Sequence, residues 1–75
     1  MVGVRDFKRL IQTDKTTCRV VELDGEDYGI YRYDKGVFVI FQGSDSPINS
    51  FSEEIKEQLL EKLKNGDFVL DKSFC

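Results

Sequence analysis

Residues 28–41 read "YGIYRYDKGVFVIF", and the fold of the chain turns on them. Two runs of aromatic and β-branched residues flank Asp34, Lys35 and Gly36, so the stretch predicts two antiparallel strands around a turn. Gly36 suits the left-handed position of a three-residue loop closed by a bulge. That loop predicts Tyr33 opposite Val37 and Tyr31 opposite Val39.

Upstream, "TTCRVVEL" (residues 16–23) is rich in β-branched side chains and runs into Asp24-Gly25. Asp-Gly supplies the two positive-φ residues of a tight hairpin turn. A two-residue turn predicts Leu23 facing Glu26, Val21 facing Tyr28, Arg19 facing Ile30 and Cys18 facing Tyr31. One face then collects Cys18, Val20, Tyr31, Tyr33, Val37, Val39 and Phe41. The other collects Val21, Leu23, Tyr28, Ile30, Phe38 and Ile40. An antiparallel sheet with one wet face alternates apolar and polar residues. This meander does not, so both faces are expected to be at least partly covered.

The flanks supply candidate covers. Val4, Phe7, Leu10 and Ile11 recur at helical spacing and predict about two turns of helix. "QTDKTT" (residues 12–17) reads as a loop, as does "GSDSPINS" (residues 43–50), which holds the only proline. Ser50 with Glu53 fits a capping box. Behind it, Ile55, Leu59, Leu60 and Leu63 form an apolar stripe that Asn65-Gly66 ends. "DFVLD" (residues 67–71) predicts a short terminal strand with Phe68 and Leu70 inward. The expected fold is a single α+β domain over residues 1–75. It has a short N-terminal helix, a three-stranded antiparallel meander, a C-terminal amphipathic helix and a short terminal strand. If both helices share one sheet face, the other face must find a partner.

A chain of 75 residues buries only about 60% of its unfolded surface and is marginally stable unless reinforced. There is no histidine, and the two cysteines, Cys18 and Cys75, fall short of a zinc tetrahedron. Nor do they suggest a disulfide framework. Cys18 reads as a small buried hydrophobe in a strand, and Cys75 as an exposed thiol. Self-association into a homodimer is the reinforcement left open. Free thiols, no signal-peptide pattern and no apolar run of about eighteen residues predict a cytoplasmic protein with no membrane span. No cofactor or metal is expected. Without histidine, acid–base chemistry would fall to carboxylates, lysines or tyrosines, and none stands at a recognisable spacing. No catalytic residue is assigned, and the chain is not expected to be an enzyme.

The net charge is −3, and the deficit of positive charge lies in residues 36–75, with four basic and seven acidic residues. Nucleic-acid binding needs a positive footprint, which disfavours that class of partner. Lys35-Gly36 leading into Phe38 and Phe41 resembles the ribonucleoprotein motif of RNA-recognition domains, which implies bases stacked on the sheet. The match is broken where Val37 replaces an aromatic and Phe38 a small residue. Single-stranded nucleic-acid binding is therefore kept as an alternative to ordinary core packing. A second alternative rests on Glu53, Glu57 and Glu61, spaced every four residues. They read as a solvated helix face among Lys56, Lys62 and Lys64, or as a DNA-mimicking surface that inhibits a DNA-binding protein. The principal expectation is a small protein-interaction module, a regulator, adaptor or phage-type inhibitor that binds another protein. Its candidate contact residues are Tyr28, Tyr31, Arg32 and Tyr33, of the residue types that dominate interface energetics, with Glu53, Glu57 and Glu61.

Overall fold

The structure, a computed structural model, describes residues 1–12 and 17–72. In chain order the elements are α1 (Val4–Leu10), β1 (Cys18–Leu23), β2 (Glu26–Tyr33), β3 (Gly36–Phe41) and β4 (Ser44–Pro47). A single 3-10 turn (Ile48–Ser50), α2 (Glu53–Lys64) and β5 (Val69–Asp71) follow. The strands form one antiparallel sheet in the order β4-β3-β2-β1-β5. The domain is thus α+β, with five strands where a three-stranded meander and one terminal strand were expected.

The β1–β2 hairpin forms as its residues predict. Asp24 and Gly25 take φ of 51° and 80°, and Val21 stands opposite Tyr28. The next turn departs from expectation. Gly36 pairs with Tyr33 as the first residue of β3, and Tyr31 pairs with Phe38. The left-handed residue is Asp34, at φ 56°, so the connection is two residues long. Because strand side chains alternate with a period of two, this one-residue slip moves all of β3 to the opposite face. Val37, Val39 and Phe41 now join Val21, Tyr28 and Ile30. Phe38 and Ile40 join Val20, Tyr31 and Tyr33.

The expected loop at residues 43–50 also contains structure. Gln42 and Gly43 sit at φ 52° and 79°, the signature of a third tight hairpin turn. Ser44–Pro47 then pairs with β3 from Phe41 back to Phe38. Its polar sequence carries no strand signal, and Pro47 ends it at the sheet edge, where a missing N–H is tolerated. The α2 cap is Ser52, whose Oγ accepts from Ile55 N–H at 3.3 Å. Ser50 Oγ instead donates to the Pro47 carbonyl at 2.6 Å. At the other end Gly66, at φ 73°, lets Asp67 N–H reach the Lys62 carbonyl at 2.8 Å and its own N–H reach that of Leu63. These bonds satisfy carbonyls that the helix end would leave unpaired.

Both helices lie on the same side of the sheet. Phe7 and Ile11 from the α1 segment and Leu59, Leu60 and Leu63 from α2 share one core with Val21, Tyr28, Ile30, Val37 and Val39. Ile48 of the 3-10 turn fills the space near β3. Tyr28 stacks on Phe41 with ring centroids 4.5 Å apart and meets Phe51 edge-on at 6.2 Å. At the β5 edge Phe68 is half-buried beneath the Arg19 guanidinium. Leu70, expected inward, is 60% exposed, because β5 lies beyond the reach of α2. Cys18 is fully buried and disulfide-bonded, so the free-thiol premise for a cytoplasmic protein does not hold at this residue. Cys75 lies outside the described residues, as does the middle of the loop expected at 12–17. No helix among the described residues is long and apolar enough to cross a membrane.

Candidate protein-binding face

The sheet face turned away from the helices is built by register alone. One row crosses all five strands: Val69, Val20, Gly29, Ile40 and Asp45. A second row runs Tyr31, Phe38 and Pro47. Tyr33 stands beside Gly36 at one end, and Glu22 stands opposite Asp27 at the other. Val20, Tyr31, Phe38 and Ile40 are half-buried, while Tyr33 and Val69 are 59% and 67% exposed. No described helix packs on this face, but Cys18, which the register places on it opposite Asp71, is fully buried, so the open part lies on the β1–β4 side.

Polar groups frame the apolar centre. Tyr31 packs its ring against Phe38, with centroids 5.8 Å apart, and its hydroxyl donates to Asp45 Oδ2. Burial, and then that bond, push the Tyr31 phenol up to about 12. Glu22, Asp27 and Asp45 are all exposed. The strand residues of this face include no lysine or arginine. Its electrostatic character is therefore acidic around an apolar middle.

The residues proposed from sequence divide between the two sides. Tyr31 and Tyr33 belong to the helix-free face. Tyr28 is 7% exposed and packs inside the core; burial raises its phenol, with Glu26 and Asp24 adding to the effect. Arg32 points to the helix side, where Nη1 donates to the Ile11 and Gln12 carbonyls, each at 3.3 Å, tying the end of the α1 segment to β2. Glu53 is a clamp: Oε2 accepts from Val2 N–H at 2.8 Å and Oε1 pairs with the buried Lys56 at 2.9 Å. Those two contacts hold its carboxyl below the usual carboxylate range. Glu57 and Glu61 remain exposed on α2 and line a shallow groove with Leu23, Lys62 and Asp67.

Phe38, Ile40, Glu22, Asp27 and Asp45 were missed as site residues. The β3 register turns the first two to the other face, Glu22 opposite Asp27 is implicit in the β1–β2 hairpin, and Asp45 joins the face only through β4. Among the described residues, no cluster of acidic and cysteine side chains could hold a metal ion. No protein-family model, curated protein or solved structure matches the chain.

Proposed function

We propose that this chain is a protein-interaction module, a regulator, adaptor or inhibitor that binds another protein through the helix-free face of its sheet. The observation that carries the reading is the placement of both helices on one side. It leaves Val20, Tyr31, Tyr33, Phe38, Ile40 and Val69 together on the other. Aromatic residues in such a patch are the usual anchors of binding energy. Nucleic acid fits less well, because the acids on this face would repel phosphates. DNA mimicry by α2 is weakened by the commitment of Glu53 to Val2 and Lys56.

Site-specific photo-crosslinking in the native host tests the reading. A photoreactive phenylalanine at position 33 is expected to give one discrete adduct that Ile40→Asp abolishes, while the same probe at position 64, on α2, gives none. An adduct of twice the chain mass identifies a homodimer. Adducts from position 64 alone would place binding elsewhere.

A further inference from the structure

Glu22 and Asp27 stand directly opposite each other across β1 and β2, and like charges in that position destabilise a strand pair. Both are exposed, and neither has a salt bridge or side-chain hydrogen bond among the described residues. Asp45 adds a third acid at the β4 end of the row that holds Val20 and Ile40. A second copy of this chain would bring acids against acids. Charge complementarity instead selects a partner that is apolar along its middle and cationic along one border and at one end.

We infer, resting on the interaction-module reading above, that the occupant of this face is a cationic amphipathic helix of a partner protein. Five strands spaced about 4.8 Å apart give a platform roughly 20–25 Å wide. A helix rising 1.5 Å per residue crosses that width in about 16 residues. Its apolar stripe lies over Val20, Ile40, Tyr31 and Phe38, and its lysines or arginines meet Glu22 and Asp27 along one side and Asp45 at the β4 end. The incoming helix completes a three-layer arrangement, with the sheet between it and α2.

The test titrates isotope-labelled protein with a synthetic 16-residue Lys/Leu amphipathic helix, alongside a Glu/Leu helix of the same pattern. The Lys/Leu peptide is expected to shift the amides of Val20, Tyr31, Phe38 and Ile40, and to bind more tightly as salt is lowered. Glu22→Gln with Asp27→Asn is expected to weaken it at least tenfold while leaving the urea midpoint unchanged or higher, because the like-charge pair is gone. Shifts confined to α2, or undiminished binding by the double variant, overturn the cationic-helix assignment. If the Glu/Leu peptide or a second copy of the chain takes the same face, the partner chemistry is wrong and the interaction module stands. If no peptide shifts these amides and the protein remains monomeric, the face is closed by the chain itself and both readings fall.

Discussion

Tyr31 on β2 hydrogen-bonds Asp45 on β4 across the whole width of β3. The bond ties the central hairpin to an edge strand whose own sequence gives it little β-propensity. It also marks where the helix-free face changes from aromatic to acidic.

Spectrophotometric titration should find the Tyr31 phenol ionising near pH 12. Replacing Asp45 with Ala should lower that midpoint but leave it above 10, because burial is the larger cause. A phenol whose folded pKa is raised stabilises the fold while it stays protonated. Its contribution is complete below pH 10 and is lost as the pH climbs toward 12. A midpoint at 10 in the unaltered protein would show that the ring is neither desolvated nor bonded.

Two tyrosines in one strand should behave in opposite ways. Tyr28 lies between Phe41 and Phe51 in the core, so Tyr28→Ala should cost about 3–5 kcal/mol, as deletion of a buried aromatic does. Tyr33 is 59% exposed, and Tyr33→Ala should stay within about 0.5 kcal/mol. Urea denaturation followed by circular dichroism measures both. Equal losses would mean that Tyr33 is as deeply packed as Tyr28.

Cys18 sits fully buried in β1 and is disulfide-bonded. Adding a phosphine reductant should lower the melting temperature, since a native disulfide in a small domain is typically worth about 2–5 kcal/mol. An unchanged melting temperature on complete reduction would show that hydrophobic packing alone holds the domain.

Much of the architecture was legible because local chemistry agreed with tertiary packing. Asp24-Gly25 admits one turn length, and so the β1–β2 register followed from it. The stripe of Leu59, Leu60 and Leu63 and the stop at Gly66 defined α2 in the same way. The β3 register was not legible, since Asp34-Lys35-Gly36 supports either of two loop lengths and apolar residues follow in both phases. The choice is made by α1 and α2, which bury Val37 and Val39 rather than Phe38 and Ile40. Ser44–Pro47 is not legible because its pairing rests on the Gln42-Gly43 turn and on the open edge of β3. The candidate site inherits both gaps at Phe38, Ile40 and Asp45, whereas Tyr28 and Arg32 are grouped with Tyr31 and Tyr33 by residue type, which does not distinguish the two faces of β2.

β3 spells two vocabularies in alternating letters. Val37, Val39 and Phe41 belong to the interior, and Phe38 and Ile40 to the other side of the sheet. Each of these two outward residues has interior neighbours on both sides along the chain. The outer surface of this strand can therefore change only by exchanging side chains in place, never by changing length. Losing or gaining one residue would trade the two vocabularies and turn outward what the domain needs for its own interior.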